Sequence, residues 1–256
     1  FPRYGDDDCA TGVVCCGIFN PKRIHLMANT RLAVPVSDTA EDYLKQVYKL
    51  EAETGKAATT SALAERLAVS TAAVTNMLKR MAQKGLVNHK FYRGATLTPA
   101  GRKVALRTIR RHRLLEAFLV NKLGYTWDLV HAEAELLEHH ISPLFEERLA
   151  ALLKNPKTDP HGSVIPSAEL ALTEPNYKVL TTATVGSKIR VVRVAGTDSE
   201  LLCFLANEGL IPGAVVEVIE VAPFSGPLKL RVGDRDFLAW HEIARHIYIE
   251  DASPKA

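Results

Sequence analysis

Residues 61–98, SALAERLAVSTAAVTNMLKRMAQKGLVNHKFYRGATLT, decide the fold. Ser61 begins a short helix through ALAERLAV. Ser70 is of a residue type whose hydroxyl accepts from an orphan N–H at a helix start, so it opens the next helix, TAAVTNMLKRMAQK, which Gly85 stops. LVNHKFYRGATLT then reads as two short strands around Arg93 and Gly94. Upstream, Ser37 and Asp38 precede Tyr43, Val47 and Leu50, which recur at near-helical spacing up to Gly55. Helix, short helix, helix and β-hairpin over 37–98 is the winged helix-turn-helix pattern.

Three further helices follow, from about Pro99 to Leu123, Thr126 to His140 and Pro143 to Lys154. Residues 155–187 hold four prolines and two glycines and read as a linker. From Lys188 the texture changes to short β-branched segments, KIRVVRV, VVEVIEV, LKLRV, FLAW and HIYIE, with Gly/Pro turns between them. These predict a small β-barrel over 188–250, with a tail at 251–256. Phe237 and Trp240 are expected in its core, and Cys203, amid leucines, as a buried small hydrophobe. The fold class is therefore mostly α with a small all-β domain.

The chain has 256 residues and a formal charge of +3. It is too apolar to be disordered, and no run approaches a membrane span. Three of the four cysteines, Cys9, Cys15 and Cys16, crowd into the first turns of the sequence and Cys203 stands alone, which is no disulfide framework and fits a reducing cytoplasm. The apolar run Gly12 to Phe19 follows acidic residues and precedes Lys22-Arg23, the wrong order for a secretory signal. Residues 1–36 are expected to be a poorly ordered extension, with Met27 resembling an ordinary start; a metal site at the three cysteines is the alternative.

The small net charge is a cancellation. Arg66 to Arg113 contains twelve Lys or Arg and no acid, a one-sign block that coincides with the helix-turn-helix and is the electrostatic footprint of DNA binding. In the candidate recognition helix, Ser70, Thr71, Ala72, Ala73, Thr75 and Asn76 are short side chains that let a helix end lie deep in the major groove, and Asn76 can pair with an adenine edge. Lys79 and Arg80 lie further along, to hold phosphates, while Thr60, Ser61, Tyr92 and Arg93 are natural backbone contacts. Ordinary surface placement is the alternative for any one of them.

Leu114 to Ala150 is the acidic counterpart, with seven acids against Lys122 and Arg148. In VHAEAELLEHHISP, His131, Glu135, Glu138 and His139 fall on one helical face, and His112 and Glu116 form an i, i+4 pair on the preceding helix. Histidine beside carboxylate on a shared face is a metal-ligand arrangement, and Asp42 on the first helix could complete a site. A solvated acidic face with incidental histidines is the bland alternative. His140 points away from His139, toward the surface.

TAEDYLKQVYKLE, IRRHRLLEAFL, VHAEAELLEHH and DPHGSVIP resemble the diphtheria-toxin-repressor family of metal-dependent regulators, over about residues 37–250. The resemblance implies a homodimeric winged-helix repressor binding a palindromic operator in double-stranded DNA, a metal-binding dimerisation domain over 99–154, and a C-terminal SH3-like barrel of the ferrous-transport-protein-A type. By position it implies a primary metal site of Asp42, Glu135, Glu138 and His139. It implies an ancillary site of His112, Glu116 and His131, completed from the barrel by Asp198 and, in place of Leu201, by Glu200. Iron-sensing members place Met and Cys where Asp42 and Glu135 stand, so hard carboxylates suit Mn²⁺, with Fe²⁺ as the alternative. Compact manganese regulators carry a second carboxylate where this chain has Lys45, so two separated sites per subunit are expected rather than one binuclear site.

The expected mechanism is a switch in which metal bridges Asp42 to the dimerisation half and sets the spacing of the recognition helices, whereas without metal the acidic cluster repels itself. Neither catalysis, membrane association nor a small organic substrate is expected, and the protein is expected to be cytoplasmic. Two rivals stand beside this reading. One is a winged-helix regulator that senses another ligand and has a structural metal site. The other is a metallohydrolase, although HExxH, GxSxG and Walker loops are missing.

Overall fold

Side-chain caps begin most of the helices of this protein, whose computed structural model describes residues 36–252 apart from Phe91, Tyr92 and Thr197. The amino extension with Cys9, Cys15 and Cys16, and the wing residue Tyr92, thus lie outside the described residues. Helix α1 (Asp38–Thr54) follows Ser37, whose carbonyl rather than its hydroxyl receives the first N–H groups, and ends at Gly55 in the left-handed conformation. Helix α2 (Thr60–Arg66) starts one residue before the expected Ser61, because Thr59 supplies the capping oxygen to Ala62 N. Helix α3 (Thr71–Gln83) is capped as expected, Ser70 Oγ accepting from Ala73 N at 3.2 Å. It buries Val74, Leu78 and Met81, an i, i+4, i+7 stripe, and turns its other face to solvent.

The wing is the antiparallel pair β1 (Val87–Lys90) and β2 (Gly94–Leu97). An Ala58–Ala95 bridge fastens it to the α1–α2 turn. Gly94 is required there: its φ is +81° and a Cβ would stand 2.4 Å from Ala58 O. Helix α4 (Pro99–Leu123) then runs 25 residues between Thr98, which caps Gly101 N, and a left-handed Gly124. Helix α5 (Val130–Leu137) is shorter at both ends than the expected 126–140, and α6 (Pro143–Leu152) is capped by Ser142. Leu114, Leu115, Leu119, Val130, Ala134, Leu149 and Ile165 form the core of this helical region.

Residues 155–187 are not a free linker. Ile165 enters the helical core, Pro166 O accepts from Arg110 Nη1 at 2.6 Å, and a Thr158–Val164 bridge closes the turn containing His161. Gly162 lies so close to β4 (Lys188–Val194) that a Cβ would meet Val192 O at 2.0 Å. Strand β3 (Lys178–Val179) already belongs to the barrel sheet. That sheet continues with β5 (Val215–Val221), β6 (Leu228–Val232), β7 (Arg235–Ala239) and β8 (Ile247–Asp251), all antiparallel, in the order β3-β8-β4-β5-β6-β7.

Helix α7 (Ser199–Asn207) packs Leu202 and Leu205 into the barrel core. Two expectations fail here. Phe237 is buried as expected, but Trp240 is 59% exposed, since alternation along β7 turns Phe237 and Ala239 inward and Leu238 and Trp240 outward. Cys203 is exposed because it sits about 100° around α7 from inward-facing Leu202.

Candidate metal centre and nucleic-acid interface

Three helices and one turn converge on a buried polar cluster. Glu41, Asp42 and Lys45 come from α1, His112 and Glu116 from α4, and His131, Glu135, Glu138 and His139 from α5 and its C-terminal end. Seven of these, with Asp159 and His161 from the turn, fall into three groups, within each of which the ligand atoms all lie within 4.8 Å of one another.

The first group is Asp42, Glu138 and His139. His139 Nε2 lies 3.0 Å from Asp42 Oδ1 and 3.4 Å from Glu138 Oε1, while Nδ1 meets Glu41 Oε2 at 2.7 Å and so orients the ring. The second is His112, His131 and Glu135, with His112 Nε2 2.9 Å from His131 Nδ1 and His131 Nε2 3.4 Å from Glu135 Oε1. The third is Glu116, Asp159 and His161, all buried. His161 Nδ1 is 3.8 Å from Glu116 Oε2, its Nε2 bonds Trp127 O at 2.8 Å, and its ring stacks on the Trp127 indole. Asp159 Oδ1 accepts from the backbone of His161 and Ser163, which fixes the turn.

The grouping departs from the expected one. Glu135 faces His112 and His131 more than Asp42, and Glu116 is completed by the Asp159–His161 turn. Asp198 and Glu200 fall in none of the three groups. Asp198 accepts from Glu200 N and Leu201 N as the N-cap of α7, and both side chains are exposed. Asp159 and His161 are candidate ligands that the sequence reading lacks, although DPHG carries the signal: an acid and an imidazole two residues apart in a Pro/Gly turn.

The expectation of a self-repelling metal-free cluster also fails. Lys45, 2% exposed, bonds both oxygens of Glu135 at 2.9 Å and Glu138 Oε1 at 2.6 Å. Burial disfavours its ammonium, but Glu138 and Glu135 outweigh that and raise its pKa. Burial likewise opposes charge on His112, yet Glu116 and Glu138 lift it to about 9, and bonds from Asp42 and Glu41 lift His139 to about 10 against its burial. Glu116 stays well below the ordinary carboxylate range despite burial, held by His112, and Glu135 is lowered by Lys45 in the same way. Asp159 is pushed up to about 6 by burial and by Glu116. The five carboxylates Glu41, Asp42, Glu116, Glu135 and Glu138 thus face one ammonium and two imidazolium ions, which offset much of their charge. With carboxylate and imidazole donors and no thiolate, the groups fit a divalent first-row metal that accepts hard ligands.

The described residues expected to contact DNA lie largely at the surface. Ser61, Ser70, Thr71, Ala72, Ala73, Asn76, Lys79, Arg80 and Arg93 are exposed and Thr60 and Thr75 half-buried, so α3 presents a small-residue start and a basic continuation. The basic block is smaller than its count suggests. Arg66 pairs with Glu53, Arg102 with Glu51, Arg110 and Arg111 with Glu146, and Arg113 with Asp159 and Glu174. The cationic surface is centred on α3 and the wing.

A winged helix mounted on helices that carry carboxylate–imidazole groups defines a DNA-binding regulator of the metal-dependent class. The chain belongs to the iron-dependent repressor family: residues 36–95 match its N-terminal DNA-binding domain and 98–167 its metal-binding and dimerisation domain, while 178–251 match the FeoA domain. It is 35% identical over 226 residues to the iron-dependent repressor IdeR of Mycobacterium tuberculosis, covering 83% of this chain and 97% of that protein. To the diphtheria toxin repressor of Corynebacterium diphtheriae it is 31% identical, covering 84% and 97%. A solved manganese-dependent transcriptional repressor in complex with manganese superposes with a TM-score of 0.76 at 34% identity, covering 83% of this chain and 99% of that one. The family is one of transcriptional repressors, not of enzymes. No helix among the described residues is long and apolar enough to cross a membrane.

Proposed function

We propose that the protein is a manganese-responsive repressor that binds a palindromic operator as a homodimer once Asp42, Glu138 and His139 hold a divalent ion. The observation that carries this reading is the meeting of Asp42, from the DNA-binding half, with Glu138 and His139, from the dimerisation half, within one ligand-sized space. When bound, the ion supplies a double positive charge and fixed coordination directions. Asp42 then ties α1 to the end of α5, Glu41 keeps the His139 ring aimed at the ligand space, and the α3 surfaces of the two subunits take a fixed separation. Glu116, Asp159 and His161 are proposed as a second site, with His112 between the two.

Oxygen donors without sulfur favour Mn²⁺ over softer ions, and the manganese repressor relative supports it. The dimer surface is assigned to Leu129, Leu136, Leu144, Phe145 and Leu152, large apolar side chains left exposed on and before α5 and along α6. The test is operator affinity, on DNA selected from a random pool with Mn²⁺, at buffered free Mn²⁺, Fe²⁺, Co²⁺ and Zn²⁺. Strongest activation by Mn²⁺ is expected, abolished in Asp42→Asn; activation by Fe²⁺ alone would assign the chain to iron, and metal-independent binding would sink the switch.

A further inference from the structure

Lys45 Nζ and the first ligand group draw on the same atom. Glu138 Oε1 is 2.6 Å from the Lys45 ammonium and 3.4 Å from His139 Nε2, which is itself 3.0 Å from Asp42 Oδ1. Glu138 is 0% exposed and its other oxygen is held by His112, so the carboxylate cannot swing to separate its two tasks. A metal–carboxylate bond of about 2.0–2.2 Å, added to the lysine contact, leaves ion and ammonium at most about 4.8 Å apart while both keep that oxygen. In a site this buried, a double and a single positive charge at such a separation repel strongly.

The geometry points to Lys45 as an intramolecular competitor for the metal, whose ammonium gives up Glu138 when a divalent cation enters and withdraws onto Glu135. This deepens the proposed function and rests on Asp42, Glu138 and His139 being the ligand set. Glu135 is placed to receive the displaced charge, since both its oxygens already accept from Lys45 at 2.9 Å and it is only partly buried. Two consequences follow for this chain. The lysine raises the free-metal concentration at which the site fills, because each ion must evict a charge already bonded to its ligand. It also bridges α1 to the end of α5 in the metal-free protein, so the ligand carboxylates are held together and partly neutralised rather than splayed.

The experiment is calorimetric titration of the full chain with Mn²⁺ alone, at one pH, for wild type, Lys45→Gln and Lys45→Arg, with thermal melting in chelator to confirm folding. Lys45→Gln is expected to bind Mn²⁺ at least about tenfold more tightly than wild type while melting lower without metal; Lys45→Arg, which keeps the charge, stays near wild type. Equal or weaker binding by folded Lys45→Gln overturns the competition. If that variant does not fold without metal, amine acetylation of wild type resolved by mass spectrometry decides. Faster modification of Lys45 with Mn²⁺ present supports displacement, and an unchanged rate overturns it. A wild-type chain that takes up no Mn²⁺ in this group fails differently, because it removes the ligand set and the competition together.

Discussion

His112 Nδ1 lies 2.5 Å from Glu138 Oε2, and this buried contact joins the first ligand group to the other two, since His112 Nε2 reaches both His131 and Glu116. Glu138 is thereby the hub of the cluster, with Lys45 on one oxygen and His112 on the other. Removing one partner of a buried ion pair costs far more than the pair contributes, because the remaining charge is stranded. Glu138→Ala should therefore destabilise the metal-free protein by about 3–5 kcal/mol, and Glu138→Gln by less, as it keeps one acceptor. Urea denaturation in chelator measures both. A loss under about 1 kcal/mol for the alanine variant would show that Lys45 and His112 re-pair elsewhere.

The imidazoles predict a definite pH response. His112 and His139 have folded-state pKa values raised from 6.5 to about 9 and about 10 by their carboxylate neighbours. Their contribution to the metal-free fold is complete below about 6.5 and is lost as pH rises through 9 to 10. A metal ligand must be the neutral ring, so filling the Asp42/Glu138/His139 group at pH 7 takes the proton from His139. At least about one proton per chain should be released on Mn²⁺ binding, and Mn²⁺ affinity should rise from pH 6 to 9. Titration in buffers of different ionisation heat counts the protons; none released would place His139 outside the metal shell.

Much of this was legible in the sequence because it is local. Ser70, Thr98 and Ser142 announce helix starts through bonds within three residues, and the stripe Val74, Leu78, Met81 shows which face of α3 is free. The face shared by His131, Glu135 and Glu138 follows from helical period alone. What stayed hidden depends on pairing across the fold. Lys45 meets Glu138 across 93 positions, and a lone lysine in sequence reads as surface. DPHG shows an acid and an imidazole two residues apart, but which carboxylate they join is decided only when their turn packs beside Glu116. Asp198 falls on a ligand position of the family resemblance, while its carboxylate is engaged in a capping bond that only the start of α7 reveals.

The paired arginines sharpen what mutation of the DNA face should do. Since Arg66, Arg102, Arg110, Arg111 and Arg113 are occupied by carboxylates, phosphate affinity falls to α3 and the wing. Lys79→Ala should weaken binding about equally on all sequences and lower the salt dependence by about one counterion. Asn76→Ala should instead cost about 1–3 kcal/mol on the operator alone and relax one base position. Anisotropy titrations over a salt series, on operator and random DNA, separate the two. Equal losses on both DNAs for Asn76→Ala would remove it from base reading.

Filling of the second proposed site can be watched separately from the first. Trp127 stacks on His161 with ring centroids 5.3 Å apart and its carbonyl accepts from His161 Nε2 at 2.8 Å, whereas Trp240, the other tryptophan, is exposed on the barrel. His161 carries a raised pKa, burial being outweighed by the Glu116 carboxylate 3.8 Å away, so its metal-free ring favours the proton more than a free histidine does. An imidazolium stacked on indole is an efficient quencher, and a metal ligand must be the neutral ring. Mn²⁺ itself quenches by its unpaired electrons, so the diamagnetic Zn²⁺ is the better probe. Zn²⁺ should change emission at pH 6, where His161 is most protonated, with the change lost in Trp127→Phe and retained in Asp42→Asn. A change that survives Trp127→Phe would come from Trp240 and so not from this site, and one that disappears with Asp42→Asn would mean that Glu116, Asp159 and His161 do not bind on their own.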